Sequence, residues 1–248
     1  MHRNELEHYV NQLLEIPRFK DYCPNGLQVE GRENIHTIVT GVTASRALLE
    51  AAVTYRADAI LVHHGYFWRG ENACITGMKA RRLEMLLTNK INLFAFHLPL
   101  DYHTELGNNA QLAKRLEFIE TGRFGEQDII VHGKLAEPML LCALGEKILR
   151  VLKREPLVIG NSEQSIQRIA WCTGAAQGYI DEAIAQNVDA YLTGEISEQT
   201  VHAARESGVA LIAAGHHATE RYGIQALGEH LSTKFGLQHL FIDIDNPV

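Results

Sequence analysis

The chain has no run of lysine and arginine, no paired cysteines and no long apolar stretch, and each absence removes a class of function. Its closest approach to a basic stripe is Lys79-Ala80-Arg81-Arg82, which reads as the solvated face of a helix, and the whole carries a formal charge of −7. That balance supplies no field to steer a phosphate backbone, so duplex nucleic acid is a poor partner, although a small anionic substrate fits. The four cysteines, Cys23, Cys74, Cys142 and Cys172, stand far apart without a CxxC pair. They argue against a disulfide framework and a thiolate zinc site, and are expected to be buried structural thiols in a reducing compartment. No stretch approaches the roughly 20 apolar residues of a membrane span. The segment 1–7 also lacks the apolar centre of a signal peptide, so a cytoplasmic location is expected. HExxH, GxSxG, the P-loop and GxGxxG are all missing, which leaves no common protease, hydrolase or nucleotide fingerprint.

What remains is an ordinary globular composition, 46% hydrophobic and 21% charged over 248 residues, enough for one large domain or two modest ones. The one abnormal count is histidine, with 13 copies. Imidazole is the commonest metal ligand and titrates near neutrality, so the histidines direct the search for a site.

Helical spacing of apolar positions runs over 5–15, and Pro24-Asn25-Gly26 marks a turn before a short strand at 27–29. A strand is expected at 38–42, a helix at 45–55, a strand at 59–62, a helix at 78–89 and a strand at 92–96. Strands alternating with helices of this length indicate βαβ units and a largely parallel sheet, hence an α/β fold. Residues 121–135 look turn-like and strand-like, and 138–153 reads as a helix. Alternation then returns, with strands at 169–172, 190–193, 210–214 and 240–243 and helices at 177–186, 197–207 and 218–234. Two lobes are expected, 1–125 and 126–248.

The second half reads as a degenerate copy of the first. A shift of 131 positions pairs Ile35 with Ile166, Ile38 with Ile169, Ala44 with Ala175, Ala52 with Ala183, Asp58-Ala59 with Asp189-Ala190 and Leu61 with Leu192. Generic strand–helix–strand sequence can agree this well. The next strand of each copy, however, ends in a matching polar motif, His97-x-x-x-Asp101 and His216-x-x-x-Glu220. Related halves with matching polar ends suggest a site at a pseudo-symmetric junction.

Val62-His63-His64-Gly65 sets two imidazoles where an apolar strand runs out, and in open α/β sheets ligands gather beyond the carboxyl ends of strands. Neighbouring side chains of a strand point to opposite faces, so His63 and His64 suit two close ions better than one. His216 and Glu220, four apart, share a helix face if helix follows, and Gly215 allows an unusual backbone angle or a close approach. Pro99 makes a continuous helix over 97–101 doubtful, so Asp101 is expected on a fixed turn. Three imidazoles and two carboxylates suit Zn²⁺, Fe²⁺, Mn²⁺ or Ni²⁺ better than Mg²⁺ or Ca²⁺. A pair of such ions can activate water and polarise a substrate oxygen. The expected division is His63 and Asp101 on one ion, His64 and His216 on the other, and Glu220 bridging. His97 is a candidate for proton transfer, with ligation or support of a ligand as alternatives. Glu195 stands where the first copy has His64 and is a candidate to line the cleft. His217 is expected to point elsewhere, Glu198 and His202 to form a surface pair, and His2, His8, His132, His230 and His239 to have no role in the site.

Several segments together resemble the GTP cyclohydrolase 1 type 2 homologue family, also called the NIF-three-like dinuclear metal proteins, in its short bacterial form. They are Pro24-Asn25-Gly26-Leu27-Gln28-Val29-Glu30-Gly31, Asp58-Ala59-Ile60-Leu61-Val62-His63-His64-Gly65 and His97-Leu98-Pro99-Leu100-Asp101 with Gly107-Asn108-Asn109. Thr193-Gly194-Glu195 and Gly215-His216-His217-Ala218-Thr219-Glu220 complete the set, so the resemblance spans nearly the whole chain. It implies that His63, His64, Asp101, His216 and Glu220 bind a metal pair. It also implies a two-lobed α/β subunit and a ring-shaped homohexamer with the metals facing an interior cavity. A shared fold does not carry a substrate with it. One implied function is a metal-dependent hydrolase acting on a small nucleotide or cyclic amide. The alternative is a non-catalytic metal-binding or regulatory protein.

Overall fold

A computed structural model describes residues 1–248. In chain order the elements are α1 (Arg3–Leu13), β1 (Gly26–Val29), β2 (Thr37–Thr43), α2 (Arg46–Thr54), β3 (Ala59–His64), α3 (Gly77–Asn89), β4 (Asn92–Ala95), α4 (Leu98–Tyr102) and α5 (Asn108–Leu116). There follow β5 (Phe118–Phe124), β6 (Ile130–Leu140), α6 (Leu141–Leu152), β7 (Leu157–Ile159), β8 (Ser165–Trp171), α7 (Ile180–Ala185), β9 (Ala190–Thr193), α8 (Glu198–Ser207), β10 (Ala210–Ala213), α9 (His216–Phe235) and β11 (Gln238–Phe241). The chain divides into two compact units, Met1–Gly107 with Gly223–Ile244, and Asn108–Tyr222 with Asp245–Val248. No helix is long and apolar enough to cross a membrane.

The first unit holds a five-stranded sheet in the order β1-β4-β3-β2-β11, parallel except for β1. Both faces of its central strand are covered, which is why β3 is an unbroken apolar run rather than an alternating one. Ile60 and Val62 pack with Leu48, Leu49 and Leu86 of α2 and α3, whereas Ala59 and Leu61 pack with Leu6 and Val10 of α1 and with Ile224, Leu227 and Leu231 of α9. Ser45 caps α2 by accepting from Leu48 N at 3.3 Å, fixing where the chain leaves β2 and turns helical.

The second unit holds a six-stranded sheet in the order β5-β6-β8-β9-β10-β7. Its core, built on Trp171, Leu192, Ile212, Leu144 and Ile148, is closed from below by α6 and reaches Ala218 and Tyr222 at the start of α9. Four strands of each unit share one plan: β1-β4-β3-β2 corresponds to β7-β10-β9-β8, with the first strand of each set antiparallel and the rest parallel. The register corresponds as well. Ile38 faces Ala59 and Ile169 faces Ala190, and Gly26 faces Ala95 as Leu157 faces Ala213. The internal repeat is therefore a repeat of topology.

The shared aspartate has a structural cause. Asp58 Oδ2 accepts from the backbone N–H groups of His36 and Thr37 at 2.8 and 3.0 Å, and Asp189 Oδ2 from those of Gln167 and Arg168 at 3.0 and 2.7 Å. Each carboxylate closes the open end of the strand pair beside it, satisfying donors that the ladder leaves over.

Some expectations need correction. The segment 108–125, grouped by sequence with the first lobe, packs in the second core through Leu112, Leu116 and Phe118, and Gly223–Ile244 returns to the first unit. Pro99 does not prevent a helix: it occupies the first turn of α4, where its missing N–H costs nothing, so Asp101 is helical. Of the four free cysteines only Cys23 and Cys172 are buried, while Cys74 and Cys142 are exposed.

Candidate metal centre

In the first unit His63, His64 and His97 come together at the C-terminal end of β3, with ring centroids 4.5 to 5.8 Å apart. The alternation of β3 sends His63 down the Leu61 face and His64 down the Val62 face, but both lie at the strand's last turn, where the rings converge. His63 is fully buried and donates from Nδ1 to Phe96 O at 2.8 Å, while its Nε2 lies 3.5 Å from Asp101 Oδ1. Two donors about 2.0–2.1 Å from one tetrahedral ion are themselves roughly 3.3 Å apart, so this spacing suits shared ligation. His64 is held at Nδ1 by Thr43 Oγ1, 3.2 Å away. Asp101 is buried on α4, whose short length brings its carboxylate back over the end of β3.

His97 is fixed from behind. Its Nδ1 donates to Asp21 Oδ1 at 2.7 Å, its backbone N–H to Asn25 Oδ1 at 2.7 Å, and Leu98 N to Asp21 Oδ2 at 3.0 Å, with Asn25 Nδ2 on the same oxygen at 2.8 Å. Burial pushes the Asp21 carboxyl up, but the His97, Asn25 and Tyr22 hydrogen bonds outweigh it and hold the group at about 2. The carboxylate therefore stays ionised and fixes the His97 tautomer, leaving Nε2 as the working nitrogen. Asp21 carried no signal in the sequence, because its partner lies 76 positions away. Asn25 shows in the sequence as a turn residue within the family segment 24–31, with nothing to mark its bond to His97.

In the second unit His216 opens α9 and Glu220 follows one turn later, with Nε2 to Oε2 at 3.0 Å. On the other side His216 Nδ1 donates to Glu195 Oε1 at 2.7 Å. Burial lowers the imidazole pKa, yet the hydrogen bonds and charges of Glu220 and Glu195 raise it to about 9. Metal capture by Nε2 thus competes with a proton. Gly215 has φ +100°, as its place before the motif suggested, and packs on the Arg154 guanidinium. Gly174, at φ +71°, makes room for the other ligand: a Cβ there would stand 2.0 Å from Glu220 Oε1. The carboxylate is seated directly on backbone, a cradle only glycine allows.

The remaining polar residues separate cleanly. His217 is buried and its backbone N–H donates to Val248 O, while Glu198 and His202 are exposed on α8. His230 pairs with Tyr9 Oη, His239 with Thr40 Oγ1, and His2 caps α1, all structural uses. Asn109 is a brace, donating to Ile129 O and accepting from Thr173 N. The chemistry of the donors fits divalent transition metals: each unit offers imidazole Nε2 beside a buried carboxylate, with Nδ1 tied to the protein in the manner of metal-ligating histidines.

Comparison with known proteins shows which family the chain is similar to. A Pseudomonas aeruginosa protein named GTP cyclohydrolase 1 type 2 homolog is 59% identical over 96% of this chain and 95% of its own. The solved structure of protein ybgI superposes with a TM-score of 0.97 at 51% identity, and that of TTHA1606 from Thermus thermophilus with 0.91 at 33%, each covering the whole of both chains. The profile of the Duf34/NIF3 (NGG1p interacting factor 3) family matches residues 1–247, and the chain belongs to that family.

Proposed function

We propose that the protein is a metal-dependent hydrolase whose metal ligands are His63, His64, Asp101, His216 and Glu220, binding two divalent transition-metal ions, and that it acts on a small nucleotide or a cyclic amide. The observation that carries this reading is the orientation of the imidazoles. His63 and His216 each give Nδ1 to a protein acceptor and turn Nε2 toward a carboxylate, at 3.5 and 3.0 Å. A purely structural histidine has no need of both arrangements. Divalent ions held there supply Lewis acidity and lower the pKa of water. His63 and Asp101 bind from the first unit, His216 and Glu220 from the second, and Glu195 keeps His216 in the tautomer that binds. His97 moves a proton at Nε2, backed by Asp21 at Nδ1.

The relatives' name points to a nucleotide, and it is the source of that part of the proposal. The ring-shaped homohexamer belongs to the same reading, supported by family membership and testable as six chains per particle by light scattering. So does the cytoplasmic location, which the four free cysteines support.

The decisive experiment loads the protein with Zn²⁺, Mn²⁺, Fe²⁺ or Ni²⁺, counts ions per chain, and assays nucleotides, cyclic amides and phosphoesters. Two ions per chain and turnover abolished by His64→Ala are expected. His97→Gln is expected to lower kcat about 10²–10⁴-fold with metal content unchanged. A panel without any turnover, combined with a lowered melting temperature for His64→Ala, would replace catalysis by a structural or regulatory metal.

A further inference from the structure

The connection between β3 and α3 has no counterpart in the second unit, where β9 passes to α8 in a few residues. It carries Phe67, Trp68 and Arg69, and nothing in the repeated plan of the fold requires it. Phe67 adopts φ +65°, a left-handed conformation that is strained for a residue with a bulky side chain. The strain is held in place from several sides. Lys79 Nζ sits 4.7 Å from the Phe67 ring centroid and binds Glu71, and Tyr66 N donates to Gln28 Oε1 at 2.7 Å. The result is that Trp68 is delivered, half-buried, beside the imidazoles, with ring centroids 5.0 Å from His97 and 6.0 Å from His64.

A second aromatic ring reaches the same place from the segment before β1. Tyr22 is 50% exposed, and its ring lies 6.4 Å from that of His97. Arg69 fastens the two segments together. Its backbone N–H donates to Tyr22 O at 2.7 Å, its Nη2 to Asp21 O at 2.9 Å, and its guanidinium carbon stands 5.8 Å from the Tyr22 ring centroid. Two large aromatic side chains thus flank His97, neither of them absorbed into the core clusters, on two segments that the Arg69 hydrogen bonds tie together.

We propose that Trp68 and Tyr22 form an aromatic clasp that binds a planar heteroaromatic ring against His97, so the substrate class of the first unit's metal site is a ring-bearing one. This rests on the reading of His63, His64 and Asp101 as a metal site and narrows what that site takes. Every nucleobase-like ring has a π-face, and stacking on an aromatic side chain contributes about 1–3 kcal/mol per ring, equivalent to roughly five- to 150-fold in affinity. The clasp orients the ring and leaves His97 Nε2 to address its edge. A linear peptide or a simple phosphoester gains nothing from such a pair.

The test titrates full-length, metal-loaded protein with GMP and with ribose 5-phosphate, which lacks the ring, by calorimetry and tryptophan fluorescence. The only other tryptophan, Trp171, is fully buried, so quenching reports Trp68. GMP is expected to bind at least tenfold more tightly than ribose 5-phosphate. Trp68→Ala is expected to weaken GMP at least tenfold and to leave ribose 5-phosphate unchanged, while Trp68→Phe stays within about threefold of wild type. Unaltered metal content and melting temperature in both variants confirm that the fold is intact. The clasp is overturned if GMP does not saturate wild type, if ribose 5-phosphate binds as tightly, or if Trp68→Ala shifts only the oligomeric state. These outcomes are independent of catalysis: GMP bound, with no turnover of any member of the nucleotide, cyclic-amide and phosphoester panel, leaves the clasp standing and removes the hydrolase reading. Turnover of a substrate unaffected by Trp68→Ala does the reverse.

Discussion

Glu195 and Asp21 do the same work in different units, each accepting from a histidine Nδ1 at 2.7 Å. Such partners fix the ring and raise its basicity, and losing one commonly costs 10–100-fold in metal affinity. Glu195→Gln is therefore expected to bind Zn²⁺ ten- to 100-fold more weakly in competition with a chromogenic chelator, whereas the exposed His202→Ala changes nothing. Unchanged affinity in Glu195→Gln would remove its role. Asp21 has a consequence in acid. Its native pKa, about 2, lies below the ordinary value of 3.8, because burial, which raises it, is outweighed by the hydrogen bond and charge of His97 together with the Asn25 and Tyr22 hydrogen bonds. The stabilisation it contributes is complete above the unfolded pKa and disappears as pH falls through the native one. Wild type is accordingly expected to lose stability between about pH 4 and 2, and Asp21→Asn to be less stable at neutral pH with a shallower decline across that window. Residues such as His63, His64 and Glu220 were legible in the sequence because ligand types cluster at strand ends. Asp21 was not, since a lone aspartate before a turn shows nothing of a contact that only the folded chain makes.

Elements carry the site by where they stop. β3 ends at His64, α4 begins just before Asp101, and α9 begins at His216, so ligands fall on first and last turns rather than in the middle of anything. Periodicity located most of these elements because helices and strands with buried faces leave a repeat in the sequence. It missed α5, which follows the polar segment 103–107 and whose first turn is the family's Asn108-Asn109, and two short elements: α4, five residues with a proline, and β7, three residues whose Leu157 is exposed on an edge. Neither of the two short ones is long enough to show a period. The turn after β8 matters as much as any helix, because Gly174 there leaves the space that Glu220 occupies. Gly174→Ala is expected to cost about 1–3 kcal/mol from the positive φ alone, and to weaken metal retention by displacing the carboxylate. Gly178→Ala, where a Cβ meets nothing within 4 Å, is the control and is expected to stay within about 0.5 kcal/mol of wild type. Equal melting temperatures and equal metal retention for the two variants would show that the cradle is not needed.

At the scale of the whole chain the fold is one four-stranded plan used twice, and the shift of 131 positions in the sequence is the spacing of corresponding pairs of β2–β3 and β8–β9; it does not extend to β4 and β10, where Asn92 and Ala210 hold corresponding places. The boundary between lobes was harder to read, because the chain enters the second core at Asn108, within continuous sequence, and α9 belongs to both units. Identity between the halves survives where the plan demands it, and Asp58 and Asp189 show why. Each accepts two backbone N–H groups, so removing either carboxylate leaves two donors without their acceptor, at about 1–3 kcal/mol for a buried group. Burial separates their costs. The Asp58 side chain is 10% exposed and is held by Arg32 at 2.9 Å, while that of Asp189 is 23% exposed and meets Arg168 at 3.3 Å. Water can replace more of what Asp189 provides. Asp58→Ala is therefore expected near the top of that range and Asp189→Ala near the bottom, measured by urea unfolding with metal content followed in parallel. If the repeat is one of topology, both variants lose stability through the same strand-end donors and neither changes the ligands. A variant of either aspartate that kept full stability but lost its metal would instead tie the repeated carboxylates to function.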